Sequence, residues 1–135
     1  MAKGSFWFED KDGEIVIGSN TPIVDADFAS IESVSVRVGN DCMFSFGTDI
    51  RSGDSHSMID LATNKRINHS EDIVIGAHVW IGARATVLKG VKISDHVIVG
   101  NRLIVTKSCI KSNCIISDAS ARMIKENIGW TREQI

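Results

Sequence analysis

Between Ile75 and Val105 an aliphatic residue returns at every sixth position, through Ile81, Val87, Ile93 and Val99. A second register runs four places after each anchor and holds Val79, Ala85, Val91, Val97, Leu103 and Cys109. Gly76, Gly82, Gly100 and polar residues such as Asp95 and Asn101 fill the positions between. A period of six would carry the apolar stripe around a 3.6-residue helix, so the pattern excludes an amphipathic helix. It fits a coil of short flat strands joined by tight turns, with like residues stacked in successive coils. The same spacing runs more weakly upstream through Val38, Phe44 and Ile50, with Cys42 and Thr48 in the second register, and again through Ile17 and Ile23. Roughly four to five coils are expected. At an interstrand spacing of about 4.8 Å such a prism stands only ~20 Å tall, thin for a self-sufficient core, so association is expected.

The register breaks once. Ile50 and Ile75 lie 25 residues apart, one more than four hexads, so chain is inserted between them. The inserted stretch, residues 51–72, reads RSGDSHSMIDLATNKRINHSED, polar and turn-forming, with His56 and His69 inside it. An irregular loop of this length inside a compact domain is usually functional or disordered, and rigid coils on both sides favour function. It is expected to leave the prism as an arm that reaches a neighbouring subunit. A short α-helix is predicted over residues 120–128, pairing Ile124 with Ile128 on one face and stopping at Gly129. The whole chain, 1–135, reads as one domain.

Composition narrows the setting. The 135 residues are rich in Ile and Val, lack Tyr and contain a single proline, Pro22, as a solenoid of aliphatic hexads requires. No run of about 18 apolar residues spans a membrane. The start MAKGSFWFEDKDGE has no apolar signal-peptide core, and a cytoplasmic location is the expectation. Cys42, Cys109 and Cys114 are odd in number and lack zinc spacing, so buried reduced thiols are expected. The net charge of −2 hides an asymmetry: residues 1–83 carry six Lys/Arg against thirteen Asp/Glu, whereas residues 84–125 carry eight against two. A basic C-terminal half suits an anionic ligand. A small polyphosphate fits better than nucleic acid, because the segment has neither stacking aromatics nor a recognisable nucleic-acid motif.

Three positions draw attention for chemistry. His56 has Asp54 and Asp60 nearby in sequence, and a carboxylate on one imidazole nitrogen would leave the other as a base. A loop histidine among Asp and Ser is more often simply solvated. His78 and His96 are one coil apart and should stack on the outer edge, but they fall at turn positions shared with Arg84, Gly90 and Arg102. With no third ligand at a suitable spacing they read as surface histidines, and no metal site is expected. Trp80, one residue before the anchor Ile81, should point outward, as a platform for a ligand or as part of a subunit interface.

The run DSHSMID, then KRIN, then DIVIGAHVWIGARATVLKGVKISDHVIVGNRLIVTKS, closing with ARMIKENIGW, resembles the O-acetyltransferase branch of the hexapeptide-repeat acyltransferases. The members most similar to it act on bacterial capsular and cell-surface polysaccharides. The resemblance covers roughly residues 45 to 130 and includes the spacing from the loop histidine to the tryptophan of HVWIG. It implies an all-β, left-handed parallel β-helix of triangular section, three hexads to a coil, assembled as a homotrimer with active sites between subunits. The hand comes from the resemblance, since ordinary parallel crossovers are right-handed in about 98% of cases. It further implies transfer of acetyl from acetyl-CoA to a hydroxyl of a sugar or polysaccharide acceptor, with His56 as catalytic base. By the same resemblance Trp80 lines the acetyl-CoA or acceptor pocket. Lys107 and Arg122 would meet the cofactor phosphates, which need fixed cations with several donors. Gly82, Ala83, Gly100 and Asn101 would let backbone N–H groups approach the pantetheine arm, although such residues equally serve turns. One departure stands out: relatives commonly carry Gly-Asn-Pro-Ala-Lys before the final helix, where this chain has Ser117-Asp118-Ala119-Ser120-Ala121-Arg122. Two readings of another class remain beside this one, a non-catalytic β-helix scaffold and a zinc carbonic anhydrase.

Overall fold

A computed structural model describes residues 3–117 and 122–135. The N-terminal part forms β1 (Lys3–Phe8), β2 (Glu14–Ile17), β3 (Ile23–Ser30), β4 (Ser35–Val38) and β5 (Met43–Arg51). The inserted stretch holds a small hairpin, β6 (Ile59–Asp60) and β7 (Lys65–Arg66). After it come β8 (Ile73–Ile75), β9 (Trp80–Ile81), β10 (Thr86–Val87), β11 (Lys92–Ile93), β12 (Val97–Val99) and β13 (Ile104–Val105). The chain closes with β14 (Cys114–Ser117) and β15 (Arg122–Glu126).

The strands stack in parallel as three ladders around one core. On the first face Ile23, Phe44, Ile81, Val99 and Ile116 stand in register, one above another. On the second the column is Phe6, Phe28, Ile50, Val87 and Val105. On the third it is Ile17, Val38, Ile75 and Ile93. Trp80 pairs with Ile98, Thr86 with Ile104 and Val74 with Lys92, each 18 positions on, so three hexads make one coil. Val38 pairs with Ile75, 37 positions on, which absorbs the inserted stretch as an excursion between two otherwise adjacent coils. Every aliphatic anchor read from the sequence between Ile75 and Val105 is buried, as are Val79, Ala85, Val91, Val97 and Leu103, while Cys109 is half-buried. Each such side chain contributes about 1.5–3 kcal/mol by leaving water, and the stack gathers them into one cluster.

The corners explain the residues between the anchors. His78, Arg84, Gly90, His96 and Arg102, at six-residue spacing, all take left-handed backbone with φ between 52° and 75°. One corner column runs Asn20, Asp41, His78, His96 and Asn113, every member left-handed. Asn, Asp and His tolerate that region best among side-chain-bearing residues, where others pay ~1–2 kcal/mol. Beside the corners, Asn40 accepts from the Ser19 N–H at 2.8 Å, Asp95 from Ala77 at 2.7 Å and Asn101 from Ala83 at 2.9 Å, so each caps the coil before it. Glycine is required where one coil's backbone lies on the next: a Cβ on Gly39 would sit 2.6 Å from the Gly76 carbonyl oxygen.

Two expectations change. Residues 122–126, predicted as part of a helix over 120–128, form the strand β15, antiparallel to β14; Ser120 and Ala121 lie outside the described residues. The reason is the free edge of the last coil, whose unpaired N–H and C=O groups are satisfied by a returning strand. A nine-residue helix without such pairing is marginal in water. The insertion, read as irregular, contains a turn-linked hairpin, with the Asn64 N–H bonded to the Asp60 carbonyl at 2.7 Å. Beyond β15 the tail runs back down the left-handed corner. The Ile128 N–H bonds the Asn113 carbonyl, Trp130 stacks on His78 with centroids 4.0 Å apart, and Arg132 reaches Asp41 and the carbonyls of Asn20 and Cys42. The three cysteines are free thiols; burial pushes Cys42 up, and burial with the Cys109 sulfur 3.6 Å away pushes Cys114 up to about 11. Gly39→Ala should destabilise by about 1–3 kcal/mol, the usual cost of overpacking, read as a lowered urea midpoint with an unchanged slope.

Candidate active site

The inserted stretch is held at its base by charge and at its centre by one amide. Glu32, at the turn after β3, pairs with Arg66 and accepts from the Ser70 N–H at 3.0 Å, which ties the returning leg to the solenoid. The Ser70 bond and then the Arg66 guanidinium hold the Glu32 carboxyl at about 2, against an ordinary 4.5. Asp54, on the outgoing leg, pairs with Lys89 at 2.5 Å and accepts from the Asn68 side chain at 2.9 Å; both keep its carboxyl below the usual range, Lys89 foremost. Asn68 lies between the two legs and also donates to the His56 carbonyl at 2.8 Å.

His56 itself is exposed, and among the described residues no side chain bonds its imidazole. The expectation that Asp54 and Asp60 orient the ring is therefore corrected. Asp54 is committed to Lys89 and Asn68, and Asp60 turns inward on its own hairpin, accepting from the N–H groups of Ala62 at 2.8 Å and Thr63 at 3.3 Å. An Asp two residues before a turn satisfies backbone donors at no entropic cost, so local geometry outcompetes a more distant imidazole. His69 is exposed as well. Lys89 and Asn68 fall inside the runs that carry the resemblance, but the sequence singles out neither for a role: one reads as part of a basic surface and the other as part of a turn-forming stretch.

Trp80 points outward from β9 between the buried Val79 and Ile81, half-exposed, and its indole N–H donates to Ser45 Oγ at 3.1 Å. The Trp130 ring lies 6.1 Å from it, centroid to centroid. His78 and His96 do lie one above the other at the corner, centroids 5.4 Å apart with the rings tilted by 53°, but both ring nitrogens of His78 are spent, Nδ1 on Asp41 at 2.6 Å and Nε2 on the Trp130 carbonyl at 2.9 Å. The Arg132 guanidinium and then His78 draw Asp41 below its ordinary value. Among the described residues no three His, Cys, Asp or Glu side chains converge as ligands for a metal.

The residues expected near a cofactor divide. The N–H of Gly82 is bonded to the Val99 carbonyl, that of Gly100 to Ile116 and that of Ala83 to the Asn101 side chain, so coil stacking consumes these donors. Gly82, Ala83 and Gly100 build the wall instead of offering free N–H groups, and the Asn101 side chain caps Ala83. Lys107 is exposed and has no ion pair among the described residues, as have Lys92 and Arg102, so fixed positive charge remains on the later coils for an anion. Arg122 is exposed at the start of β15. Lys89 and Lys111 are neutralised by Asp54 and Glu126.

Coils of three hexads, with left-handed residues at successive corners from His78 to Arg102 and a histidine-bearing excursion between coils, define a parallel β-solenoid of the hexapeptide type. Residues 72–107 match the family of bacterial transferase hexapeptide proteins (six repeats). It is 38% identical over 122 residues to the polysialic acid O-acetyltransferase of Neisseria meningitidis, covering 90% of this chain and 57% of that relative. A crystallographically determined polysialic acid O-acetyltransferase superposes with a TM-score of 0.92 at 34% identity, over 98% of this chain and 64% of the other. A galactoside acetyltransferase in complex with coenzyme A shares the fold, with a TM-score of 0.66 at 23% identity, over 93% of this chain and 65% of the other. The chain thus spans little more than half of its curated relative and under two thirds of these solved structures.

Because the folded-state pKa of Glu32 is depressed, its contribution is present above the unfolded value near 4.5 and is lost as pH falls toward about 2. Denaturant titrations at stepped pH should show wild-type stability dropping through that window, with Glu32→Gln less stable at pH 7 and flatter in acid.

Proposed function

We propose that this chain is an acetyl-CoA-dependent O-acetyltransferase that acts on a hydroxyl of a sugar or bacterial surface polysaccharide, with His56 as the general base. The observation that carries the reading is the His56 segment itself: a histidine with a free imidazole on a stretch whose two legs are pinned to the coils by Glu32–Arg66 and Asp54–Lys89. Similarity to polysialic acid O-acetyltransferases over nine tenths of the chain supports the reaction class. The coenzyme A complex of a protein with the same fold supports the co-substrate.

In the proposed reaction one imidazole nitrogen of His56 takes the proton of the acceptor hydroxyl as its oxygen attacks the thioester carbonyl. The tetrahedral oxyanion collapses, the C–S bond breaks, and the imidazolium returns its proton to the departing coenzyme A thiolate. An acetyl ester and free coenzyme A result. Lys107 and Arg122 are the residues proposed to meet the cofactor phosphates, because a guanidinium and an unpaired ammonium on the later coils answer their charge. Trp80 offers the partly exposed part of a large ring on that wall, for the acetyl-pantetheine end or the acceptor.

The site is proposed to lie between subunits of a homotrimer, each a single left-handed β-helix domain. Met58, Ile59, Leu61 and Ile67 support this, being exposed together on the inserted stretch, with Leu61 at 94%. Isolated exposed apolar side chains are ordinary, but four on one small hairpin mark a surface that packs on something. A second copy supplies it. Light scattering should report three copies for wild type and dissociation for Leu61→Asp, whereas a wild-type monomer would remove the shared site.

The deciding assay is release of coenzyme A thiol from acetyl-CoA over a panel of sugars and surface glycans. His56→Ala should lower kcat by ~10² to 10⁴, the usual worth of a positioned general base, while calorimetric acetyl-CoA affinity stays within about two-fold. Absence of acetyl-CoA binding by wild type would overturn the enzyme reading in favour of a scaffold.

A further inference from the structure

We propose that Asn68 is the positioning residue of this site: its side-chain amide sets the path of the chain through His56, and the imidazole's aim depends on it. The inference rests on the reading of His56 as the base.

Asn68 is 4% exposed, one of few buried polar residues among those described, and it uses all four of its hydrogen-bonding positions. Its Oδ1 accepts from the Met58 N–H at 2.7 Å and from Arg66 Nε at 3.2 Å. Its Nδ2 donates to Asp54 Oδ2 at 2.9 Å and to the His56 carbonyl at 2.8 Å. The orientation of the amide is dictated by these partners. Turned over, it would set N–H against N–H at Met58 and Arg66, and oxygen against oxygen at Asp54 and His56. The bonds to Asp54, His56 and Met58 fall on alternate residues, two before His56, at it and two after. One buried amide therefore spans the whole arc that presents the imidazole. Through Asp54 the same amide is coupled to Lys89, and through Arg66 to Glu32, so it joins the two charged anchors of the stretch.

Lys89 holds Asp54 and the Ile67 N–H bonds the Met58 carbonyl, but among the described residues no other side chain bonds His56 itself, whose imidazole has no protein partner there and whose neighbour Ser55 is tied to Glu9, at 2.7 Å. Ser55 lies in left-handed backbone, φ 66°, so the chain bends sharply just before the histidine. An arc with such a bend needs an external brace to keep a fixed shape. No other residue type fits the brace. An aspartate at 68 would lose both donors and oppose the Asp54 carboxylate, and an alanine would leave the His56 carbonyl and the Met58 N–H without a partner.

A double-mutant cycle tests this, with coenzyme A release measured for wild type, His56→Ala, Asn68→Ala and the double variant. Asn68→Ala should lower kcat by ~10- to 100-fold, as a misplacement of about 1 Å does, with the acetyl-CoA KM within about two-fold. In the His56→Ala background the same change should cost nothing further, since a brace acts only through what it holds. Amide exchange should quicken at Met58 while the Val87 and Val105 amides keep their protection, which certifies the fold. Asn68→Asp, which keeps the Oδ1 acceptor for Met58 and Arg66 but loses both donors, should give the same signature and carries the test should Asn68→Ala not fold. Equal losses in both backgrounds, or an unchanged kcat in Asn68→Ala, would overturn the positioning role while leaving the base intact. An unchanged kcat in His56→Ala, or no coenzyme A release by wild type, would sink the base and this inference with it.

Discussion

Parallel pairing of successive coils, 18 residues apart in the later coils and 37 apart across the insertion, is the constraint from which the rest of the molecule follows. Once Trp80 lies over Met43 and under Ile98, and Thr86 over Asp49 and under Ile104, the anchors and the second register of each hexad face inward on the coil before it. The same pairing brings like corners together, and from His78 to Arg102 each corner carries one left-handed residue. The side chain there must tolerate the conformation, and the neighbouring Asn40, Asp95 or Asn101 must satisfy the backbone of the coil before. Packing, turn chemistry and hydrogen bonding are thus one condition repeated. A change at Gly39 or Gly76 is felt as a failure of stacking and not as a local loss of flexibility.

A stack of this kind has little choice about its walls and considerable freedom at its interruptions. The N–H groups of Gly82, Ala83 and Gly100 are consumed by stacking, which leaves the wall chemically quiet. The side chains left free of stacking therefore lie where the register is broken, in the stretch carrying His56, and where side chains leave the wall, at Trp80 and at Lys92, Arg102 and Lys107. The break must still be anchored to be useful. Two ion pairs at its base and one buried amide at its centre do so without a hydrophobic core of its own, which a hairpin of this size cannot build.

The two ends of the solenoid are treated differently. At the C-terminal end β15 covers the free edge of β14, and the tail then descends one corner, tying successive coils together through Ile128, Trp130 and Arg132. At the other end Phe6 stacks on Phe28 at 5.5 Å and remains 46% exposed, with Trp7 and Phe8 beside it also open. His78, legible from its spacing as a corner residue, serves mainly as the seat of this tail, with one ring face against Trp130 and both nitrogens bonded.

The hexad period determined the solenoid, the identity of its buried residues and the place of the interruption, because a repeat that admits only one way of facing inward is written directly in the order of side chains. The outward turn of Trp80 and the placement of His96 one coil above His78 followed from the same arithmetic. What tertiary structure alone decided were the partners made across coils and across the insertion. Asp54 and Asp60 looked like companions of His56 by nearness in sequence, yet one is drawn away by Lys89, 35 residues on, and the other by its own turn. The segment from Arg122 to Glu126 has the composition of a helix and becomes a strand because an unpaired edge lies beside it. Asn68 is an ordinary turn residue in the sequence, and only burial between two legs of chain turns its amide into a brace. Local pattern governs what repeats; long-range polar pairing, which leaves no period behind, governs what does not.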